Sequence, residues 1–237
     1  MAISDTRVDS PTIANPGRIV VAMLFVTLGL TYGIWYSYSV LLVALLREFG
    51  WTRSVLAGAF SAFVMVHGLS GPVLGWLVER LGPRRVLMLG GAIVGAGLVL
   101  TAETRTAWHL YLSFGIIAAA GVSAAGWVPA VILVRGWFPS HIATALGIAS
   151  AGIGMGIFAL VPFTQLLIEQ VGWRWTLRAL GVLIAAWVIP STALLVRDPP
   201  ERAEPVPLTR PALSVEPGLR DAMTVAPHWT LSTAVRS

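Results

Sequence analysis

The stretch "GWLVERLGPRRVL", residues 75–87, sets Glu79 beside Arg80 and follows them with Arg84 and Arg85. Apolar sequence runs away from it on both sides. Charged residues make up only 11% of the 237-residue chain, whereas an ordinary globular domain is about one-quarter charged. So few charges cannot cover a water-facing surface. Between Ile19 and Leu46 the only ionisable side chains are tyrosines, and an apolar run of about 18 residues or more is long enough to cross a bilayer. The charged cluster is therefore a connector at a membrane surface, between two spans of an integral membrane protein.

Working outward from it gives six apolar spans, at about 19–46, 54–78, 86–102, 108–134, 142–168 and 175–196. The fold class is all-α membrane protein, with residues 1–18 an N-terminal tail, 19–196 a six-helix bundle and 197–237 a linker or tail. Connectors such as "REFGWTR", "AETRTA" and "EQVGWRW" are short enough to join antiparallel neighbours. Trp51, Trp108, Trp137 and Trp173 stand at span edges, where indole rings favour the headgroup level. With the N-terminus inside, the inner segments carry Arg7, Arg18, Arg80, Arg84, Arg85, Arg135, Arg197 and Arg202, and the outer loops Arg47, Arg53, Arg105, Arg174 and Arg178. That asymmetry favours an N-in, C-in chain.

The net charge of +5 does not indicate nucleic acid, because the arginines sit at the ends of apolar runs and form no basic stripe. Without cysteine there is no disulfide and no thiolate metal site. Residues 1–18 are polar and the first apolar run is too long for a cleaved signal peptide. After Val196, "RDPPERAEPVPLTRPALSVEPGL" is rich in proline and charge and reads as a cytoplasmic linker.

Gly75, Leu77, Glu79, Arg80, Gly82, Arg84 and Leu87 resemble the signature G-x-L-x-D-R-x-G-R-[KR]-x-x-L between helices 2 and 3 of the major facilitator superfamily. Two positions depart from it: Glu79 stands for the usual Asp, and Pro83 takes the first Arg position, with Arg84 and Arg85 following. "EFGWTRS", "WFPSHIATALGIASAGIGMG" and "GWRWTLRALGVL" narrow the resemblance to the monocarboxylate-transporter and oxalate/formate-antiporter branch. It covers about residues 19–196, the N-terminal half of such a transporter.

The resemblance implies six helices in two inverted three-helix repeats, with substrate held near the midplane between two such bundles. It implies transport of a small solute, a carboxylate by proton symport or anion exchange, across the plasma (inner) membrane. The partners it implies are lipid, a small anionic substrate, protons and a second six-helix bundle. Gly75, Glu79, Arg80, Gly82, Arg84 and Arg85 are then gating residues, with Glu79 accepting bonds from an arginine or facing a helix N-terminus in one conformational state.

Four residues are candidates for the substrate and proton pathway. His67 lies near the centre of its span, where an ionisable group is costly and carries a functional expectation; an imidazole there shuttles a proton or bonds a carboxylate. The alternative is a neutral His bonded to a backbone carbonyl on a neighbouring helix. Tyr32 and Tyr36, with Ser39, share a face of span 1 at helical spacing, either lining a cavity or packing between helices. Trp127 in span 4 is the fourth, close to Pro129 as a kink. Gly71, Gly152 and Gly156 are expected to let helices approach closely; although Gly152, Gly154 and Gly156 spell G-x-G-x-G, no strand precedes them, so no dinucleotide cofactor is expected. The four histidines lack ligand spacing, and no metal is expected.

An enzyme reading has one foothold. Ser70 in "GLSG" matches the nucleophile motif of rhomboid intramembrane proteases, but no separately supported base accompanies it. The chain offers one bundle, and "APHWTLSTAVRS" resembles the approach to a seventh helix. A fragment inactive by itself is thus the expectation, the alternative being a natural half-transporter working as a dimer.

Overall fold

A computed structural model describes residues 16–138 and 141–196. These residues form six helical spans: span 1 Gly17–Phe49, span 2 Arg53–Leu81, span 3 Pro83–Ala102, span 4 Ala107–Trp137, span 5 Ile142–Val171 and span 6 Trp173–Leu195. The protein is a multi-pass integral membrane protein, all-α throughout its described residues. Most of the 1–18 tail and all of the 197–237 linker lie outside them.

Several helices run about a turn beyond the apolar sequence that announces them. Glu48, Glu79 and Arg80 are helical, because a helix crossing the headgroup layer keeps its backbone bonds while its side chains turn polar. The charged connector at 79–85 thereby shrinks to Gly82, whose φ of +81° is costly for any residue with a Cβ. Pro83 then opens the next helix at its first position, where a missing N–H costs nothing. Gly172, also at φ +81°, repeats the arrangement between spans 5 and 6.

Two helix pairs are closed by glycine. Spans 1 and 5 cross so tightly that a Cβ added at Gly156 would lie 2.0 Å from the Gly29 carbonyl oxygen, and one at Gly152 would lie 2.1 Å from that of Phe25. Spans 3 and 6 meet at Gly95 and Gly181, each 2.8 Å from the other's carbonyl oxygen by the same measure. Gly71 differs from Gly152 and Gly156. Among the described residues a Cβ there would meet nothing within 4 Å, so the close helix contact expected at Gly71 is not made among them.

Span 4 is not one continuous helix. Tyr111–Ala118 is a π-helical stretch, and the chain breaks at Ala125 and Gly126 before Trp127–Trp137 resumes. Pro129 explains the break, because its ring crowds the carbonyl four residues earlier, that of Ala125. Such irregularity inside a bilayer is tolerated where protein partners satisfy the backbone.

The core stacks aromatic rings between spans 1, 2 and 4. Tyr38 lies 4.4 Å from Phe114 between centroids and Phe63 4.9 Å from Phe114, while the Tyr38 hydroxyl donates to the Leu56 carbonyl at 2.8 Å. At one end of the bundle Glu48 accepts from both Trp173 and Arg174, and Arg178 donates to Glu103. Arg178 holds the exposed Glu103 carboxyl below its ordinary range. The contact is therefore complete at neutral pH and is lost as pH falls through that lowered value. At the other end, Arg84 donates to the Ala193 carbonyl in the last turn of span 6, which satisfies an acceptor the helix itself leaves open.

Candidate functional site

His67 is fourteen residues from Arg53 and fourteen from Leu81, the two ends of span 2, about 21 Å each way at 1.5 Å per residue. It is half-buried. Its Nδ1 lies 2.8 Å from the Ser123 hydroxyl of span 4, six residues before Pro129. From span 1, the Trp35 ring lies 4.7 Å away between centroids and the Tyr32 ring meets it edge-on at 6.3 Å. Phe63, one turn back on span 2, stacks at 6.4 Å. Three spans thus converge on one imidazole at mid-depth.

The break in span 4 contributes to this site. A Cβ on Gly126 would be 3.4 Å from the Tyr32 hydroxyl, so the phenol sits against the broken turn. Trp127, the first residue after it, is 38% exposed, and Tyr36 is 49% exposed on the same side of span 1 as Tyr32. Tyr32 and His67 therefore meet directly, with Trp127 next to the broken turn that Tyr32 touches and Tyr36 one turn along span 1. Ser39 does not add a free hydroxyl, since it donates to the Tyr36 carbonyl at 3.0 Å. The Trp35 indole nitrogen is buried without a hydrogen-bond partner among the described residues.

Nothing in the sequence marked Ser123 or Trp35. Ser123 sits in the small-residue run "AAAGVSAAG", where packing is the obvious role, and only the fold brings it to His67. The pairs Glu48–Arg174 and Glu103–Arg178 were also hidden, because each joins residues far apart in the sequence.

The residues of the charged motif are spread over one end of the bundle. Glu79, Arg80 and Arg85 are exposed and Arg84 is half-buried. Arg80 lies 4.3 Å above the Trp76 ring, a cation–π contact. Glu79 makes no hydrogen bond or ion pair among the described residues. A hollow of about 530 Å³ is lined by Arg80, Leu81, Gly82, Arg84, Arg85 and Met88.

Burial differs among the spans, with span 6 intermediate at 33%. In their most apolar stretches spans 1, 3 and 4 are 56%, 56% and 61% buried, but spans 2 and 5 only 17% each. Spans 2 and 5 therefore flank the bundle, and glycines at 68, 71 and 75 on span 2 and at 147 and 154 on span 5 have open space where a side chain would be.

The protease reading does not survive. The Ser70 hydroxyl donates to the carbonyl of Val66 on its own helix, and the nearest histidine on that helix, His67, faces Ser123. No base is placed to activate Ser70 among the described residues.

Comparison with known proteins gives the same direction. The family description "Major Facilitator Superfamily" matches residues 24–235. Monocarboxylate transporter 11 of Mus musculus is 32% identical over 179 residues, covering 76% of this chain and 40% of the relative. Monocarboxylate transporter 7 of Homo sapiens is 31% identical over 165 residues, covering 70% and 31%. The MFS-type transporter pynF of Aspergillus niger is 28% identical over 155 residues, covering 65% and 36%. The chain spans well under half the length of these curated relatives. The family match over most of the chain, together with these relatives, places the six-helix bundle in a family of transporters rather than enzymes: it belongs to the major facilitator superfamily and is a monocarboxylate-transporter-like N-terminal half of that fold.

Proposed function

We propose that this bundle lines one side of a pathway by which a small monocarboxylate crosses the plasma (inner) membrane together with a proton. The observation that carries the reading is His67, half-buried at mid-depth beside Tyr32 and Ser123. Bringing a carboxylate to the bilayer centre without a counter-charge is costly. Every described arginine lies at or near a span end, so His67 is the group at that depth able to acquire positive charge. A proton that travels with the anion removes the cost, which favours symport over anion exchange. The relatives named as monocarboxylate transporters support the substrate class.

A second six-helix bundle, from further sequence or another copy, completes the pathway in this account. It docks on spans 2 and 5, where open glycines admit close approach of another helix. Gly75, Glu79, Arg80, Gly82, Arg84 and Arg85 then work at the seam. The Glu79 carboxylate, exposed at the end of span 2, takes a partner on that second bundle when the pathway is closed on its side and releases it on opening.

The test is uptake of labelled L-lactate into cells carrying the two bundles together. Uptake should saturate, rise with an inward proton gradient and collapse when a protonophore removes the gradient. Uptake indifferent to the gradient would refute proton coupling.

Orientation is tested separately, since the chain has no cysteine. Thr106→Cys and Leu81→Cys lie at opposite ends of the bundle and both side chains are exposed. With N-in, C-in topology a membrane-impermeant maleimide labels the first in intact cells and the second only after permeabilisation. The reverse pattern contradicts that orientation.

A further inference from the structure

We propose that Ser123 fixes the neutral His67 imidazole as the Nδ1–H tautomer, so that a proton arriving from water is placed on Nε2 and becomes the donor that holds the substrate carboxylate. The inference rests on the reading that His67 faces the transported anion. It adds the atomic reason why anion and proton arrive together.

The Ser123 hydroxyl makes two short contacts, 2.9 Å to the Ala119 carbonyl and 2.8 Å to His67 Nδ1. A serine hydroxyl has one proton to give and lone pairs with which to accept. A carbonyl oxygen has no proton, so the contact with Ala119 is a hydrogen bond only when Ser123 donates it. The contact with His67 is then a hydrogen bond only when Nδ1–H donates to the Ser123 oxygen. With Nδ1 bare, one hydroxyl proton would serve two acceptors and one short contact would go unbonded. Ser123 is 3% exposed, so water does not make up that loss at low cost. The Nδ1–H tautomer alone satisfies both contacts.

The opposite nitrogen follows from this. Neutral His67 presents a bare Nε2 lone pair, which repels a carboxylate. Nε2 makes no hydrogen bond among the described residues and is not fully buried, so the half-buried ring keeps that nitrogen partly exposed. When a proton from water bonds to that lone pair, the ring becomes an imidazolium and Nε2–H donates to a carboxylate oxygen. The Ser123 contact persists unchanged, because Nδ1 carries a proton in both states. On release the Nε2 proton returns to water and the anion loses its donor. No bond but N–H forms or breaks.

The charged and titratable surroundings leave this logic in the hands of one ring. Tyr32 faces His67 from span 1, with Tyr36 one turn farther along. On span 4, Tyr111 and Arg135 lie about three turns from Ser123 in either direction. On span 2 the nearest charges are Arg53, Glu79 and Arg80 beyond the ends of the apolar stretch, and span 3 contributes Arg84 and Arg85 at its start. Among the described residues no carboxylate or guanidinium pairs with His67. Ser123 is thus a positioning residue, acting through the imidazole rather than touching the anion.

Solid-state NMR of this chain assembled with the second bundle in lipid bilayers, with the histidines of this chain alone carrying the heavy nitrogen isotope, reads each ring nitrogen directly. His67 is identified by the signals lost in His67→Gln. Above its titration midpoint the parent should show protonated Nδ1 and bare Nε2, and below it both nitrogens protonated. L-lactate should raise the midpoint by about one pH unit or more, the shift that tenfold tighter binding to the imidazolium produces. In Ser123→Ala the neutral ring should divide between tautomers and the lactate-induced shift should shrink, because a neutral Nε2–H also donates to carboxylate. A neutral parent ring with its proton on Nε2 overturns the inference without any variant; if lactate still moves the midpoint, the carboxylate site stands and only the role of Ser123 falls. The expected tautomer with a midpoint indifferent to lactate instead shows that His67 does not meet the anion, and both readings fall.

Discussion

Replacing Gly156 with alanine should prevent spans 1 and 5 from closing, while the same change two residues earlier, Gly154→Ala, should be tolerated. The added carbon at position 156 would lie 2.0 Å from the Gly29 carbonyl oxygen and 2.4 Å from its Cα. Both are backbone atoms, so no rotamer change relieves the overlap, and the helices themselves must separate. Overpacking that side chains can absorb costs about 1–3 kcal/mol; here the cost falls at or above the top of that range. Separation would also loosen the neighbouring contact of Gly152 with Phe25. At Gly154 an added carbon meets nothing within 4 Å among the described residues. Thermal unfolding of the purified chain in detergent, read by tryptophan fluorescence, should show a markedly lowered midpoint for Gly156→Ala and an essentially unchanged one for Gly154→Ala. Equal midpoints would mean that the span 1–span 5 crossing is looser than described.

This crossing shows what kind of information a membrane sequence exposes. The six spans were legible because apolar length is dictated by the bilayer, and the small residues of "GIASAGIGMG" pointed to close packing somewhere on span 5. Which glycines make the contact was not legible. Gly152 and Gly156 face span 1, whereas Gly147, Gly154 and Gly71 face open space, and composition is the same on both sides of the helix. Helix ends were misjudged by about a turn for a related reason: charge marks the edge of the hydrocarbon, not the end of hydrogen bonding.

The candidate site divides in the same way. His67 stood out because an ionisable group at mid-span is expensive. Its partner did not, since Ser123 is one small residue among many until the break at Ala125 and Gly126 and the packing of span 4 on span 2 set it opposite the imidazole. Tyr32 was legible from helical spacing on span 1, but its seat against Gly126 depends on that same break. Glu79 was legible from its motif, while its lack of a partner among the described residues reflects geometry that no motif contains.

His67→Ala is expected to abolish proton-driven lactate uptake while leaving the chain inserted and folded. The imidazole is half-buried among aromatic rings, and truncating it removes the one donor at mid-depth among the described residues that can acquire charge. A hydrogen bond to a charged partner contributes about 1.5–3 kcal/mol, which corresponds to roughly tenfold to more than hundredfold in apparent affinity. Loss of coupling adds to that, because the anion would cross without a proton. His67→Gln keeps a donor near the same place but cannot titrate, so it should retain part of the binding and none of the pH dependence. Initial uptake rates across a pH series, with membrane abundance measured alongside, separate the two variants. Uptake by His67→Ala equal to that of the parent at equal abundance would return His67 to a packing role.

The most direct measurement records proton and lactate entry together in the same vesicles, for the parent and for His67→Gln. The account predicts that protons enter the parent in a fixed ratio to lactate, and that in His67→Gln the residual lactate flux carries no proton with it. A fixed ratio that is unchanged in His67→Gln would contradict the claim that this imidazole carries the coupled proton.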